Sequence, residues 1–341
     1  MLVRWLLGSI AGTMIIAVTS PWFIRSYPQR VFSQERGVVV YQQGAEYRWR
    51  SEGYATTRIG PQGRPGEGPV ENKSLKAFRV ALWGDSQAEG NCVPDDQKIA
   101  PLTEASVSNV AVENYARSGD DCNDWIHQIQ RLNETQSRAF NAHVFLITEW
   151  QDWCIDVEVP SEFVNPLENQ IARYAPAFTI QAVRNALTVD AAGTRRELRW
   201  TLGPVNAQRN SASGSADDLP ARMRRLNRQL DRLKQAAVGN ESSMAKVVFL
   251  YAPLTPSVTG DRIIESDDGD WFVRVLGECA GGLNGVAIDL RPQMIQSARA
   301  GNWPRGFQHG RFGSGHYNPA GNAIIATRLA RQLEQWSQSS K

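Results

Sequence analysis

The sequence predicts a doubly wound α/β fold, a three-layer sandwich with a mostly parallel five-stranded sheet, preceded by an N-terminal transmembrane helix. Two observations lead to the sandwich. Between residues 77 and 337, short apolar runs alternate with helical patterns, and each apolar run is nearly continuous. Strands that are buried on both faces of a parallel sheet have this pattern. A third observation, a long uncharged run at the N-terminus, predicts the transmembrane helix.

The short apolar runs define the predicted strands. These are Phe78–Trp83, Val110–Asn114, Val144–Thr148, Val247–Tyr251 and Val286–Asp289. Helices are predicted between and after them, at about Ile99–Val107, Asn123–Glu134, Leu167–Leu187, Leu219–Ala237, Gly269–Cys279 and Pro319–Trp336. Regular alternation of strand and helix is typical of a parallel sheet with helices on both faces.

The N-terminal run predicts a membrane anchor. From Leu6 to Ile24 the sequence carries no charge, and Arg4 and Arg25 flank the run. As a helix it would be about 28 Å long, close to the ~30 Å hydrocarbon thickness of a bilayer. A cleaved signal peptide is the alternative, but the apolar run continues past Ala17-Val18-Thr19, a poor version of a cleavage site. We therefore predict an uncleaved anchor, whose orientation stays open because basic residues lie on both sides of it.

Composition divides the chain into three parts. Residues 1–25 contain the predicted anchor. Residues 26–76 are rich in Arg, Gly, Gln and Tyr and are weakly periodic, so we interpret them as a stalk and lead-in. Residues 77–341 form the predicted α/β domain. The stretch from about 155 to 243 is too long for a single crossover, so we predict a helical insertion there that shapes the substrate face.

Overall composition argues against several functions. The net charge is +2 and the pI is near 8.4, whereas a nucleic-acid-binding domain typically has a basic patch and a pI above about 9. The four cysteines form no Cys-x-x-Cys pair and the four histidines are scattered, which argues against a structural zinc site. We therefore expect no nucleic-acid partner, no metal and no cofactor.

The residues that directly follow the strands are the candidate site residues, because ligands of open α/β sheets bind outside the carboxyl ends of the strands. Gly84-Asp85-Ser86 follows the first strand, and "NYARSG", ending at Gly119, follows the second. "TEWQDW", with Gln151, follows the third, and "GSGHYNPAGN", with His316, precedes the last helix. A hydroxyl, a glycine N–H, an amide and an imidazole would meet at one edge. Acyl transfer needs this set of groups: a nucleophile, a base and donors to the developing oxyanion.

These four segments resemble the sequence blocks of the SGNH (GDSL-type) hydrolases, and the resemblance covers most of residues 77–335. It implies that Ser86 is the nucleophile and His316 the base. It also implies an oxyanion hole made by the N–H groups of Ser86 and Gly119 and the side-chain amide of Gln151. The lead-in stretch "YRWRSEGYATTRIG" is similar to the segment before the catalytic block in membrane-attached members that handle envelope polysaccharides, the alginate O-acetylation proteins among them.

Two positions depart from the family pattern. The family usually has an Asp three residues before the histidine, where this chain has Gly313. Glu149, Asp289 or a backbone carbonyl could replace that Asp as the group that orients the imidazole. The family also has Asn-Asp where this chain has Gln151-Asp152, which keeps the amide but lengthens the side chain by one methylene. We interpret Asp152, like Asp85, as a structural partner rather than a proton carrier.

The positions of two cysteines relative to these sequence blocks predict where their sulfurs lie. Cys122 lies three residues after Gly119, and Cys154 lies three residues after Gln151. If the two blocks lie at adjacent strand ends, the sulfurs are close, and we predict a disulfide between Cys122 and Cys154, with Cys92 as an alternative partner. The other interpretation is that all four cysteines are buried small hydrophobic residues.

The resemblance and the anchor together lead to a functional hypothesis. We expect a membrane-anchored serine esterase or O-acyltransferase that acts on an acylated cell-envelope polysaccharide or glycan. Its catalytic domain would lie outside the cytoplasm, in the periplasm or at the cell surface. The departures at Gly313 and Gln151 favour one alternative, a catalytically degenerate glycan-binding protein of the same fold. The nearby membrane suggests another, a lipid esterase or thioesterase.

Overall fold

The computed structural model describes residues 1–66, 78–135, 140–158, 164, 166–187, 219–237, 245–260, 262–308 and 311–339. Its strands are, in chain order, β1 (Arg30–Ser33), β2 (Val38–Tyr41), β3 (Glu46–Arg48), β4 (Thr56–Arg58), β5 (Phe78–Trp83), β6 (Val110–Asn114), β7 (Ala142–Ile147), β8 (Lys246–Tyr251), β9 (Ser257–Thr259), β10 (Arg262–Ile264) and β11 (Gly285–Asp289). Its α-helices are α1 (Leu2–Phe23), α2 (Ser86–Glu89), α3 (Ile99–Ser106), α4 (Cys122–Thr135), α5 (Pro166–Tyr174), α6 (Ala177–Leu187), α7 (Leu219–Ala237), α8 (Asp270–Ala280), α9 (Arg291–Arg299) and α10 (Pro319–Ser339).

A five-stranded parallel sheet forms the centre of the molecule. The strand order is β11-β8-β7-β5-β6. Within it Leu82 of β5 lies opposite Asn114 of β6 on one side and Val144 of β7 on the other. The chain therefore moves outward from β5 to β6 and then crosses back to β7, so the winding direction reverses at β5. In doubly wound sheets the ligand site lies at such a switch point, outside the carboxyl ends of the strands.

Alternate residues of the central strands face two separate hydrophobic cores. Trp83 and Phe145 point to the face that α4, α7 and α8 cover. Leu82 and Val144 point to the opposite face, which α3, α9 and α10 cover. Both faces are apolar because both are buried, which explains the unbroken apolar runs in the sequence. The predicted α/β sandwich, with all five of its strands, is confirmed.

The helices differ from the prediction in three places, one of which is the short helix α2, absent from the predicted set. The single helix predicted at Leu167–Leu187 is two helices, α5 and α6, separated at Pro176, because a proline disfavours helical backbone in the residue before it. Helix α9 was not predicted, since Met294 is its only buried residue and it leaves little apolar periodicity. The insertion predicted at about 155 to 243 contains α5, α6 and α7, and its residues 188 to 218, between α6 and α7, lie outside the described residues.

Helix α1 is long and apolar enough, by length and composition, to cross a membrane. None of its most apolar window is buried in the rest of the molecule. Its last turn, in contrast, is part of the folded structure: Ser20 is buried, and Arg50 Nε donates a hydrogen bond to the Pro21 carbonyl at 3.1 Å. Residues of α1 also contact α6. The helix therefore ends directly on the folded domain.

The segment predicted as a stalk packs against the α/β unit. The hairpins β1–β2 and β3–β4 contribute buried Val38 and Tyr47. Arg36 is 1% exposed, and its guanidinium donates to Gln128 Oε1 at 2.8 Å and to the Tyr115 carbonyl at 2.6 Å. Residues 26–66 are called the lead-in below. The domain boundaries stay a prediction, but the described lead-in residues are a packed layer rather than a spacer.

The predicted disulfide is wrong, because all four cysteines are free thiols. Cys122 and Cys154 lie in the apolar core beside Trp125 and Trp153. Burial in that core raises the pKa of the Cys154 thiol to about 12. The alternative interpretation, in which the cysteines fill space as small apolar residues, agrees with the burial of Cys92, Cys122 and Cys154.

Candidate active site

Ser86 stands at the carboxyl end of the central strand β5. Asp85 caps the short helix α2, and its Oδ1 accepts a hydrogen bond from the Gln87 N–H at 2.8 Å. This cap fixes Ser86 as the first residue of α2, where helical geometry leaves an N–H without an intrahelical partner. Among the described residues, no hydrogen bond uses the Ser86 N–H. The hydroxyl and this free donor therefore occupy the same turn.

His316 lies within hydrogen-bond distance of Ser86. Its Nε2 is 3.0 Å from Ser86 Oγ, although the two residues are 230 positions apart in the chain. Two buried side chains hold the histidine loop in place. Arg305 Nε donates to the Gly315 carbonyl at 3.1 Å, and Gln87 Oε1 accepts from the Tyr317 N–H at 2.8 Å. The residue after the serine thus binds the residue after the histidine.

Glu52 of the lead-in occupies the other side of the imidazole. His316 Nδ1 is hydrogen-bonded to Glu52 Oε1, and the His316 backbone N–H donates to Glu52 Oε2 at 3.2 Å. Burial raises the pKa of the Glu52 carboxyl, but hydrogen bonds and positive charge from His316 outweigh burial and leave the pKa below its usual value. The carboxylate therefore stays ionised and holds the imidazole with Nδ1 as donor and Nε2 facing the serine.

Two glycines explain why the carboxylate comes from the lead-in. Gly313, at the position of the family Asp, has φ +73°, and a Cβ there would lie 2.9 Å from the Val258 nitrogen. Gly315 has φ +76°, and a Cβ there would overlap the Glu52 carboxylate. The histidine loop therefore has no room for an acidic side chain at residue 313, and the missing Cβ of Gly315 leaves space for the Glu52 carboxylate.

In the structure the group that binds His316 Nδ1 is Glu52, which is not among the substitutes considered for the missing Asp. Asp289, the last residue of β11, is paired with Arg291 at 2.8 Å. Glu149 lies after β7, and its charge acts on Asp85 and Asp152. Glu52 lies within the stretch "YRWRSEGYATTRIG", whose sequence pattern does not distinguish it from the other polar residues there.

Four hydrogen bonds attach the Gly119 segment to α2 and to the turn before it, one of them from the Ser118 hydroxyl to Glu89 Oε2. The Arg117 N–H donates to the Gly84 carbonyl at 3.2 Å, and the Ser118 N–H donates to Glu89 Oε2 at 3.0 Å. Asn114 Nδ2 donates to the Ala88 carbonyl at 2.9 Å. Gly119 itself has φ +86°, and its N–H takes part in no hydrogen bond among the described residues. Two backbone N–H groups with no hydrogen bond among the described residues, those of Ser86 and Gly119, therefore lie in segments that are hydrogen-bonded to each other.

Gln151 belongs to a 3-10 turn, Trp150–Trp153, that follows β7 at the same edge of the sheet. The loop is joined to the serine turn because Thr148 Oγ1 donates to Asp85 Oδ2 at 3.0 Å. The Gln151 side chain is exposed at this edge. Burial, together with the negative charges of Asp85 and other nearby carboxylates, raises the pKa of Asp152 to about 8.

Three ligating atoms lie close together beside Ser86. Glu52, Cys92 and His316 each offer one atom within 4.8 Å of the others. In the structure these groups are hydrogen-bonded: Cys92 Sγ is 3.7 Å from Glu52 Oε1, which also binds His316 Nδ1. Burial and the Glu52 charge both raise the pKa of the Cys92 thiol, so a metal ion would compete with protons for the same atoms. The three residues therefore form a chain of hydrogen bonds that runs from Cys92 through Glu52 to His316.

The fold and the site together define a class: an α/β protein in which serine, histidine and glutamate form a hydrogen-bonded chain at the carboxyl edge of a parallel sheet. No family model and no curated protein matches the sequence. Among solved structures, the chain is similar to a member of the lipolytic protein G-D-S-L family from Veillonella parvula DSM 2008. The TM-score is 0.39 and the identity 15%, over 75% of this chain and 97% of that chain. A likeness of this size carries no conclusion about activity.

Proposed function

We propose that this protein is a serine esterase or O-acyltransferase, held at a membrane by α1, that acts on an acylated polysaccharide or glycan of the cell envelope. One observation carries the proposal: Ser86 Oγ lies 3.0 Å from His316 Nε2, while Glu52 binds the other ring nitrogen. A nucleophile, a base and a group that orients the base are the elements that acyl transfer requires. They meet at the edge of the sheet where ligands bind in this architecture.

In the first half of the proposed reaction, Ser86 Oγ attacks the carbonyl carbon of the ester while its proton passes to His316 Nε2. Glu52 stabilises the imidazolium that forms. The former carbonyl oxygen becomes negative and is held by the N–H groups of Ser86 and Gly119 and by the Gln151 amide. The carbon–oxygen bond to the alcohol then breaks, and the departing alkoxide takes the proton from His316. The acyl group stays on Ser86 as an ester.

The second half of the proposed reaction determines whether the protein is a hydrolase or a transferase. A water molecule or a sugar hydroxyl attacks the acyl-serine and gives its proton to His316, which returns it to Ser86 Oγ as the bond to the acyl group breaks. Water releases a free acid, and a sugar hydroxyl gives a new ester. The attachment of α1 to the folded domain supports an uncleaved anchor that keeps this site beside a membrane, and ester-bearing glycans of the envelope are substrates that such a position offers.

The proposal is tested by covalent labelling of the full-length protein in detergent with a fluorophosphonate, which reacts with activated serines. We expect labelling of the wild type, none in Ser86→Ala, and a loss of ester hydrolysis of about 10³-fold or more in that variant. Ser106→Ala is the matched control, because Ser106 is an exposed serine at the end of α3. It should label like the wild type.

The outcomes separate the alternatives. A folded wild-type protein that binds acetylated glycan but takes no label would support the degenerate glycan-binding protein. The departure at Gly313 no longer favours that alternative, because Glu52 provides the carboxylate. Release of acetate from an acetylated polysaccharide, compared with release of fatty acid from a phospholipid, separates the glycan esterase from the lipid esterase. Formation of a new ester on an added sugar acceptor identifies a transferase.

A further inference from the structure

A cavity of about 800 Å³ lies at the base of α1, away from Ser86. One wall is the lead-in, from the residues directly after α1 to Tyr47 of β3. The other wall is formed by α5 and α6. Hydrogen bonds fasten the two walls together: the Arg30 N–H donates to Asn169 Oδ1 at 2.8 Å, and Tyr27 OH donates to Gln181 Oε1. The cavity is therefore a built feature between two layers.

The lead-in wall is cationic and aromatic. Arg25 and Arg30 both line the cavity. The Arg25 guanidinium lies 5.1 Å from the ring centre of Tyr27, and that of Arg30 lies 5.5 Å from the ring centre of Tyr41. Among the described residues, no carboxylate forms an ion pair with either arginine. Two guanidinium groups without a counter-charge beside one cavity favour an anionic ligand, and a phosphate suits their planar donors.

The helical wall is apolar and continues toward the membrane. Ile171, Ala175, Ile180 and Val183 line it. Ile171 is 41% exposed and Val183 50% exposed, so the helical wall presents uncovered apolar surface at the cavity. Helix α6 contacts α1, so these side chains belong to the same part of the molecule as the end of the apolar helix. A water-soluble phosphate would leave this wall uncovered.

We propose that this cavity binds a membrane lipid with an anionic phosphate headgroup. The phosphate lies between Arg25 and Arg30, and the alkyl chain runs along α5 and α6. The inference rests on the proposed membrane anchor, because α1 brings the cavity to the level of the headgroups. Amphipathic recognition of this kind combines the burial of apolar area with charge pairing at the interface.

The cavity is connected to the catalytic histidine through aromatic contacts. The ring centre of Tyr47, which lines the cavity, is 5.9 Å from that of Trp49. Trp49 in turn packs edge-on against His316 at 6.0 Å. Arg25 also lies over the Trp49 ring, at 5.9 Å. A bound headgroup would therefore sit two ring contacts from the imidazole, close enough to keep the site facing the membrane surface.

The test uses the full-length protein in bilayers of neutral phosphatidylcholine that contain a trace of phosphatidic acid with a photoreactive diazirine on its acyl chain. After irradiation, labelled peptides are quantified by mass spectrometry. We expect labelling of residues 171–183, competed by unlabelled phosphatidic acid and not by diacylglycerol or by inorganic phosphate. Labelling of α1 in the same sample reports insertion into the bilayer and serves as the internal standard.

Variants test the two walls separately. Arg30→Gln should lower labelling of residues 171–183 about tenfold or more relative to α1, as expected for the loss of a charge-assisted contact. Ala175→Trp, which fills the cavity, should lower it as well. Arg173→Gln is the matched control, since Arg173 is an exposed arginine of α5 outside the lining.

Three results would overturn the proposal: labelling confined to α1, equal labelling in Arg30→Gln and Arg173→Gln, or full competition by diacylglycerol. Absence of label from α1 would remove the anchor and the lipid site together. The measurement needs no turnover, so Ser86→Ala should label like the wild type. Failure of the esterase proposal and failure of the lipid site are therefore distinguishable.

Discussion

At the scale of single residues, Glu52 is the group that holds His316 in the proposed reaction. Its carboxylate binds both Nδ1 and the backbone N–H of His316. Glu52→Gln keeps the shape but removes the charge that stabilises the imidazolium and allows the amide to present its nitrogen to Nδ1. We expect kcat for a soluble ester to fall about 10²–10⁴-fold with little change in KM, measured by steady-state kinetics.

The matched control for Glu52 is Glu46, an exposed glutamate of β3 in the same lead-in. Glu46→Gln makes the same chemical change without touching the histidine loop, so its kcat should equal that of the wild type. Equal rates in Glu52→Gln and the wild type would contradict the proposed role and return the search for the orienting group to the loop after β7.

Asp152 gives a prediction about pH and stability. Its pKa, raised to about 8 by burial and neighbouring carboxylates, exceeds the unfolded value of about 3.9. Between these two values the folded state holds a proton that the unfolded state has lost, so stability falls as pH rises through this window, by at most about 1.4 kcal/mol per pH unit. Asp152→Asn removes this contribution.

Urea unfolding at pH 5 and pH 8 measures the effect. The wild type should lose more of its free energy of unfolding between these two pH values than Asp152→Asn does. Asp156→Asn is the control, because Asp156 is an exposed aspartate a few residues further along the chain. A variant with the same pH slope as the wild type would show that the Asp152 carboxyl titrates as it does in water.

At the scale of elements, the turn that carries Glu52 depends on one glycine. Gly53 has φ +72°, and a Cβ there would overlap the Cys92 carbonyl. Gly53→Ala must therefore move the turn away from the Cys92 backbone, and Glu52 moves with it. A displacement of about 1 Å at a catalytic group costs about 10²-fold in rate. We expect kcat to fall by about this factor in steady-state assays with a soluble ester.

Gly44 provides the comparison, since it lies in the lead-in with φ +82° and has no atom within 4 Å of an added Cβ. Gly44→Ala carries the same backbone cost of about 1–2 kcal/mol for left-handed geometry. Thermal unfolding should show a loss of stability in both variants, and only Gly53→Ala should lose activity. Similar kcat values in the two variants would mean that the turn tolerates the overlap without moving Glu52.

Elements that are buried on two faces were predictable, and elements whose buried groups are polar were not. All five strands of the sheet were predicted to within two residues because burial on both faces leaves an unbroken apolar run. The lead-in strands have only three or four residues each, and the buried group that fastens them is the cation Arg36. Short strands and a buried arginine leave no periodicity in the sequence, so this layer was interpreted as a stalk.

The candidate site shows the same division. Ser86 and His316 each follow or precede a predictable element, and parallel topology brings such positions to one edge. Glu52 reaches them from 264 positions before the histidine, through a layer with no visible pattern. Local spacing could indicate that the position three residues before His316, which is Gly313, carries no carboxylate. It could not indicate where the replacement lies, because that depends on how the lead-in packs.

At the scale of the whole molecule, the lead-in links helix α1 to the candidate site around Ser86 and His316. The Ser26 N–H, close after α1, donates to the Arg48 carbonyl in β3 at 3.0 Å, and β3 leads directly to the Glu52 turn. Arg117, in the Gly119 loop, donates from Nη1 to the Val39 carbonyl of β2 at 2.6 Å. The lead-in therefore follows α1 directly, carries Glu52 and contacts the loop that holds Gly119.

Two truncations test separately whether α1 anchors the protein to a membrane and whether the lead-in takes part in the reaction. Removal of residues 1–24 should release the protein from membranes, measured by flotation with vesicles, while kcat for a soluble ester stays within about threefold of the full chain, because every contact of Glu52 remains. Removal of residues 1–60 deletes Glu52 and Arg36 and leaves the buried Gln128 Oε1 and the Tyr115 carbonyl without their guanidinium donors, which costs about 1–3 kcal/mol for each unsatisfied group. This form should be inactive and unfold at lower temperature. If it instead kept the rate of the shorter truncation, the lead-in would be a passive spacer, and the base would be oriented from within the α/β domain.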